Sequence, residues 1–327
     1  MTKVLSVEDL GVTFALHESE VRAVNDLNFS LEAGETLAVV GESGSGKSQA
    51  FLSIMGLLAK NGRTSGRAML GDVNLVGMEK SRLDRIRGKD IAMIFQDPMT
   101  SLNPSLRVKT QLAEVLVKHR GFDKGKAEKA AIEMLERVGI PEPVKRANAY
   151  PHEMSGGMRQ RVMIAMALLC QPKILIADEP TTALDVTVQA QMLDLFKSLT
   201  EDFGTSLVII THDLGVVAGV ADRMMVMYGG RAVEKGTVDD LFYDPRHPYT
   251  LGLLHSTPHI AQRAARLDPI QGLPPSLEHL PKGCSFNPRC AFCFDRCLEE
   301  RPPLMPTESG REKACFYEGP LKYGKVA

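Results

Sequence analysis

The eight residues 41–48 have the types and spacing that suit nucleotide binding. They read Gly-Glu-Ser-Gly-Ser-Gly-Lys-Ser and match the pattern G-x-x-x-x-G-K-[ST] in full. The apolar run 36–40 before them predicts a buried strand, and residues 49–58 after them predict a helix. In this setting the loop amides would point at phosphate oxygens, Lys47 would reach the β- and γ-phosphates, and Ser48 would ligate Mg²⁺. The strand–loop–helix setting disfavours the alternative, a purely structural glycine turn.

A second candidate site is a pair of acids at the end of an apolar run. Residues 173–180 read Lys-Ile-Leu-Ile-Ala-Asp-Glu-Pro, which predicts a buried strand ending in Asp178 and Glu179. Open α/β sheets bind ligands at the carboxyl ends of their strands. Asp178 would therefore hold Mg²⁺, directly or through water, and Glu179 would be the general base that polarises the attacking water. The alternative is a helix N-cap, because Asp-Glu-Pro also suits a helix start.

The elements that must position these residues alternate between strand and helix patterns. Buried strands are predicted for the short apolar runs 36–40, 91–95, 174–177, 206–211 and 224–228, and a helix for 186–203. This order predicts an α/β fold with a mainly parallel sheet. Near the N-terminus, residues 4–7 and 21–31 alternate apolar and polar side chains and predict an antiparallel β-subdomain.

Two further segments differ from this core. Residues 105–170 have a mostly helical pattern, interrupted by Pro141, Pro143 and Pro151. After about residue 240, proline and histidine become more frequent. We therefore expect one domain over 1–240 and a loop-rich C-terminal extension over 241–327.

The overall composition disfavours some function classes. The chain has 327 residues, with 39 Lys and Arg against 40 Asp and Glu, so its formal net charge is −1. Such a balance lacks the basic footprint of a nucleic-acid-binding protein. The longest apolar run, 162–170, is far shorter than the ~18 residues that span a bilayer. The N-terminus also lacks the apolar stretch of a secretory signal, so we expect a cytoplasmic protein.

The motifs, taken in order over about residues 4–240, resemble those of the nucleotide-binding subunit of an ATP-binding cassette (ABC) transporter. The order is the phosphate loop, Gln96, Ser155-Gly156-Gly157, Asp178-Glu179, Ala183-Leu184-Asp185 and His212. The resemblance implies a P-loop ATPase core with a helical subdomain inserted at about 97–170. It also implies an ATPase that works as a sandwich dimer, with ATP between two such subunits.

The resemblance assigns roles to several residues outside the phosphate loop. Gln96 would contact Mg²⁺ or the attacking water. Ser155, Gly156 and Gly157 would form the signature motif, which contacts the γ-phosphate across the dimer interface. Met154 and Met158 replace the usual leucine and glutamine of that motif, which is a mild departure.

Three more positions match the family. Asp185 would lie in the D-loop between the two sites of the dimer, His212 would contact the γ-phosphate, and Phe14 would stack on adenine. Alone, such a histidine is more often a surface residue, and such a phenylalanine is often part of the core. The expected catalytic residues are Glu179, His212 and Gln96, and the expected Mg²⁺ ligands are Ser48, Gln96 and Asp178. The phosphate-loop residues expected to bind ATP are Gly41, Ser43, Gly44, Ser45, Gly46, Lys47, Ser48 and Gln49.

Residues 96–104 and 246–254 resemble the peptide and nickel importers of this family. The resemblance implies an ATPase subunit that powers import of dipeptides or oligopeptides, with dipeptides favoured. A nickel or other small-solute importer is the alternative. The implied partners are two permease subunits, a second and similar ATPase that makes the dimer a heterodimer, and an extracytoplasmic binding protein. A permease coupling helix would dock near 97–108, at the cytoplasmic face of a bacterial inner membrane.

Five cysteines lie close together in the C-terminal extension. Cys284, Cys290, Cys297 and Cys315 have the spacing C-x5-C-x6-C-x17-C, and Cys293 is a spare. Thiolates suit zinc or an iron–sulfur cluster, and reduced thiols or a disulfide remain alternatives. The resemblance favours a [4Fe–4S] cluster, because related importer subunits carry one in this extension.

Two other function classes fit the sequence less well. An ABC-type ATPase acting on DNA would carry a long coiled-coil insertion between Lys47 and Ser155, and one acting on the ribosome would usually carry a second cassette. The chain has neither. A P-loop kinase would have no use for a signature motif at Ser155.

Overall fold

The computed structural model describes residues 2–96, 101–182, 185–256, 270–307 and 310–321. The strands are β1 (Lys3–Ala15), β2 (Glu20–Glu32), β3 (Thr36–Val40), β4 (Gly62–Leu70), β5 (Val73–Asn74), β6 (Ile91–Ile94), β7 (Ile174–Asp178), β8 (Ser206–Thr211), β9 (Arg223–Tyr228), β10 (Arg231–Thr237), β11 (Met305–Pro306) and β12 (Glu312–Lys313). The helices are α1 (Lys47–Ile54), α2 (Lys80–Ile86), α3 (Val108–Arg120), α4 (Lys124–Arg137), α5 (Pro143–Ala147), α6 (Gly156–Leu168), α7 (Val186–Phe203), α8 (Leu214–Ala218), α9 (Val238–Tyr243), α10 (Pro248–Ser256) and α11 (Asp295–Glu299).

The chain divides into two compact units. The first comprises Met1–Val4, Glu32–Gly34 and Met78–Ile209, and the second comprises Leu5–Leu31, Glu35–Gly77 and Ile210–Ala327. Gln96, the signature motif and the two acids therefore belong to the first unit. The phosphate loop, His212 and all five clustered cysteines belong to the second.

In the first unit, parallel strands lie beside a group of helices. Strands β6 and β7 pair in parallel from Ile91 opposite Ile174, and every residue of β7 is buried. Fully buried strands must be apolar along their whole length, which explains the continuous run Ile-Leu-Ile-Ala. Helices α3 and α4 pack together; α3 ends at Gly121 in the left-handed conformation, and Asp123 caps α4.

In the second unit, an antiparallel sheet and a mixed sheet are present. The antiparallel sheet has the strand order β2-β1-β4-β5. In the mixed sheet, β3 pairs in parallel with β9, whereas β9 pairs with β10, and β10 with β12, in antiparallel fashion. A buried core packs on these strands and includes Val40, Tyr228, Tyr249 and Phe286.

These elements confirm the predicted α/β class, with both parallel and antiparallel strands. The predicted N-terminal antiparallel strands and the helices over 105–170 are also present. The division at residue 240 stays a prediction, since residues 35–77 and 241–321 fall in the same unit. Among the described residues, no helix is both long and apolar enough to cross a membrane.

Candidate nucleotide site

The phosphate loop connects β3 to α1 and wraps around the amino group of Lys47. This Nζ donates to the carbonyl oxygens of Gly41 at 2.7 Å and Glu42 at 2.9 Å, and to Ser45 Oγ at 3.4 Å. Lys47 is only 5% exposed. A buried ammonium surrounded by oxygen acceptors sits at the first turn of a helix, where backbone N–H groups favour anions. Such an arrangement suits an anion such as a phosphate.

Glycine is required at two positions of this loop by close backbone packing. A Cβ on Gly41 would lie 2.2 Å from the carbonyl oxygen of Met227, and one on Gly46 would lie 2.3 Å from that of Ala23. Gly44 is different, because its φ of 79° favours glycine while a Cβ there would meet open space. Gly44 and Ser43 are exposed, whereas Ser48 and Gln49 are half-buried at the start of α1.

The two predicted acids follow directly from β7 in the first unit. Asp178 is the buried last residue of that strand. Glu179 has a left-handed backbone with φ of 45°, a conformation that costs a non-glycine residue energy and occurs at functional sites. Its Oε2 accepts from Gln96 Nε2 at 3.0 Å and from Thr182 Oγ1 at 2.9 Å.

The structure thus brings the side chains of Gln96 and Glu179 together. It adds Thr182, which sequence reasoning missed. The sequence signal for Thr182 is its position three residues after Glu179, which lets the two side chains meet across a turn.

The signature residues lie at the N-terminus of α6. Ser155 is the exposed N-cap, and its Oγ accepts from the backbone N–H of Met158 at 3.3 Å. Apart from its chain neighbours and the backbone of α6, no atom of the described residues lies within 4 Å of where a Cβ on Gly156 would be placed. Met154, at the position where the usual motif has leucine, is buried. A helix N-terminus with an exposed serine and an open glycine suits an incoming phosphate.

The remaining predicted site residues lie in three different elements or loops. Asp185 caps α7 by accepting from Val188 N–H at 3.0 Å. His212 is exposed directly after β8. Phe14 is half-buried in β1 opposite Gly62, where its ring occupies the space of the missing Cβ. Residues 97–100 of the predicted coupling surface, and Ala183 and Leu184 before Asp185, lie outside the described residues.

The clustered cysteines are all thiols, with no disulfide among them. Burial is the main cause that raises the pKa of Cys290 to about 12 and that of Cys315 to about 11. The backbone N–H of Cys284 donates to the carbonyl of Cys297 at 2.9 Å. Within the described ranges, which include all five cysteines, no group of three or more Cys, His, Asp or Glu side chains is arranged to hold a metal ion. The predicted iron–sulfur cluster therefore finds no support in this geometry.

Comparisons with known proteins agree with the motifs along most of the chain. The family described as "ABC transporter" matches residues 24–182, and "Oligopeptide/dipeptide transporter, C-terminal region" matches residues 233–297. The oligopeptide transport ATP-binding protein OppD of Salmonella typhimurium is 55% identical over 312 residues, covering 95% of this chain and 93% of that protein. The protein of the same name from Bacillus subtilis is 52% identical over 308 residues, covering 93% and 86%.

A solved structure is similar over the cassette part. It is the dimeric post-hydrolysis state of the ATP-binding cassette MJ0796 bound to ADP and phosphate. Its TM-score is 0.64 at 29% identity, and the match covers 72% of this chain and 98% of that one.

Proposed function

The chain belongs to the ABC transporter family, and from this premise we infer that it is the ATP-hydrolysing subunit of an oligopeptide importer. Relatives that are 52–55% identical and aligned over almost the whole chain carry the name of oligopeptide transport ATP-binding protein. These names favour oligopeptides over dipeptides and over nickel. The observation that carries the inference is the hydrogen bond from Gln96 to the Glu179 carboxylate, in a chain that also has the complete phosphate-loop motif.

The donor set fits ATP with Mg²⁺. Lys47 would bind the β- and γ-phosphates, and the residues from Gly41 to Gln49 would supply the loop amides. The oxygens of Ser48, Asp178 and Gln96 are the hard ligands that Mg²⁺ prefers. A Mg²⁺ ion held by these oxygens would neutralise charge on the phosphate oxygens during transfer.

Hydrolysis would depend on the residues around Glu179. Glu179 accepts the proton of the attacking water, while Gln96 and Thr182 donate to its Oε2 and fix the direction of the carboxylate. His212 contacts the γ-phosphate, and Phe14 stacks on the adenine. A water held near Glu179 is then aimed at the γ-phosphate for in-line attack.

The full site would need a second ATPase subunit. Ser155, Gly156 and Gly157 of one subunit contact the γ-phosphate bound by the other, and Asp185 lies between the two sites. We propose that the second subunit is a similar but different chain, so that the pair is a heterodimer. This assembly acts at the cytoplasmic face of the inner membrane, on two permease subunits fed by an extracytoplasmic binding protein. The permeases would contact residues 97–108.

We also propose, on donor chemistry alone, that the cysteines of the extension bind a metal. Cys284, Cys290, Cys297 and Cys315 would be the ligands, because thiolates are the soft donors that iron–sulfur clusters use. Iron and sulfide analysis of anaerobically purified chain tests it. About four of each per chain supports a [4Fe–4S] cluster, and zinc or no metal contradicts it.

The substitution Glu179→Gln tests the ATPase assignment. We expect ATP turnover to fall by roughly 100-fold or more, since a general base contributes at least that much, while ATP binding persists. Glu142→Gln is a matched control, because Glu142 also has a left-handed backbone, with φ of 50°, but lies at the start of α5. Turnover of Glu179→Gln at the native rate would show that another group is the base.

A further inference from the structure

Glu42, the second residue of the phosphate loop, forms a partly buried ion pair with the C-terminal extension. Arg289 Nη1 lies 2.6 Å from Glu42 Oε2, and Nη2 lies 2.9 Å from Oε1, so the pair is bidentate. The Arg289 side chain is 5% exposed and that of Glu42 is 26% exposed. The geometry differs from that of surface ion pairs, which contribute little because water screens them.

A second contact from the extension reaches the backbone of the same residue. The N–H of Glu42 donates to the hydroxyl of Tyr249 at 2.8 Å, and Tyr249 is fully buried in α10. Its ring packs against Tyr228 and Phe286, with centroids 4.5 Å and 5.4 Å away. The hydroxyl is therefore held at a fixed position by the aromatic core.

Arg289 is held just as firmly. Its backbone N–H donates to Phe286 O at 3.0 Å, and its Nε donates to Gln271 O at 3.0 Å. A third donation, from Nη1, reaches the Tyr228 hydroxyl at 3.3 Å. Because these contacts fix both ends of the side chain, its guanidinium is presented to Glu42 without the usual freedom of a long side chain.

The polar groups of Glu42 contact both the C-terminal extension and the phosphate loop. Its carboxylate and N–H face Arg289 and Tyr249, whereas its carbonyl oxygen accepts from Lys47 Nζ at 2.9 Å. The extension thus fixes the side chain of Glu42 and the peptide group before it, while the peptide group after it accepts from the lysine ammonium. No such link follows from the nucleotide motif itself, which leaves position 42 unspecified.

We propose that Arg289 and Tyr249 are positioning residues for the phosphate loop, through which the C-terminal extension sets the affinity of this subunit for ATP. The proposal rests on the role given above to Lys47. Loss of the guanidinium leaves the Glu42 carboxylate without its partner, and the loop then relaxes away from the conformation that receives phosphate.

Calorimetric titration of the full-length chain with ATP and Mg²⁺ tests this. We expect Arg289→Ala to raise the dissociation constant about tenfold, and Arg289→Lys to recover part of that loss. In a Glu42→Gln background, Arg289→Ala should change the constant by less than about twofold, because the coupled partner is already altered. Arg296→Ala is the matched control. Arg296 also pairs with a glutamate of the extension, Glu300, but on an exposed helix surface.

Tyr249→Phe is a milder variant that removes only the hydroxyl, and we expect it to weaken ATP binding in the same direction. Circular dichroism establishes that each variant is folded at the temperature of titration. A folded Arg289→Ala or Tyr249→Phe chain with native ATP affinity would overturn the proposal, as would an equal effect of Arg289→Ala with and without Glu42→Gln. Lys47→Ala distinguishes failure of this proposal from failure of the proposed function. If Lys47→Ala leaves the affinity for ATP unchanged, the assignment of the phosphate loop as the ATP site is wrong.

Discussion

The phosphate loop and the carboxyl end of β7 are held by different means. Around the loop, Gly46 and Lys47 are buried and glycine backbone lies against neighbouring carbonyls. Around Glu179, the hydrogen bonds come from the exposed side chains of Gln96 and Thr182. Packing fixes the first region in advance, whereas side chains that can exchange partners hold the second. Binding is therefore expected to depend on core packing, and hydrolysis on a few rearrangeable hydrogen bonds.

The largest effect is expected on the free energy of unfolding, when a Cβ is added inside the packed phosphate loop. Gly46→Ala places that atom 2.3 Å from a backbone carbonyl at a φ of 96°. Strain and overpacking together should lower the free energy of unfolding by about 3 kcal/mol or more. Urea unfolding monitored by circular dichroism measures it.

Gly34→Ala is the matched control for that change. Gly34 has a φ of 76°, but no atom of the described residues beyond its chain neighbours lies within 4 Å of a Cβ placed there, so only the backbone strain of about 1 kcal/mol should remain. Equal losses for the two variants would mean that the loop is not fixed by close packing.

A smaller effect is expected in the second region. Thr182→Val keeps the shape of the side chain but removes a donor to Glu179 Oε2, so the carboxylate loses a hydrogen bond that helps to direct it. ATP turnover should fall about tenfold, which corresponds to one hydrogen bond to a charged group. The free energy of unfolding should change by less than about 0.5 kcal/mol, because the site is exposed.

Thr110→Val, at an exposed position of α3, controls for the same chemical change away from the site. Turnover of Thr182→Val equal to that of this control would exclude a role for Thr182 in directing the base. A large loss of stability instead would mean that the carboxyl end of β7 is as tightly packed as the phosphate loop.

Sequence patterns predicted the phosphate loop and the acid pair because both are local: a few neighbouring residues determine the turn and the strand end. Strand β10 was missed for the opposite reason. It contains Glu234 and Lys235, which are 1% and 7% exposed, and charged residues ordinarily indicate a surface segment.

Their burial depends on partners far along the chain. Glu234 accepts from the backbone N–H groups of Arg246 and His247, and Lys235 donates to Asn28 O at 2.8 Å. Contacts of this kind are set by tertiary structure, which local propensity does not contain. The pairing of Arg289 with Glu42 could not be predicted from the sequence either, because it also depends on tertiary structure.

The smallest expected effect concerns Ser155, a helix N-cap for which we also propose a role in binding ATP. Ser155 caps α6 and is the proposed contact to ATP on the partner subunit, whereas Asp123 caps α4 in the same way, accepting from Lys126 N–H at 3.0 Å. Replacing either by alanine removes one N-cap hydrogen bond and should cost about 1 kcal/mol of stability. In the assembled importer only Ser155→Ala should also lower ATP turnover, because only that helix N-terminus would face a phosphate. Turnover that falls equally in the two variants would indicate that the loss comes from the weakened helix, and the exposed serine would then have no part in binding nucleotide.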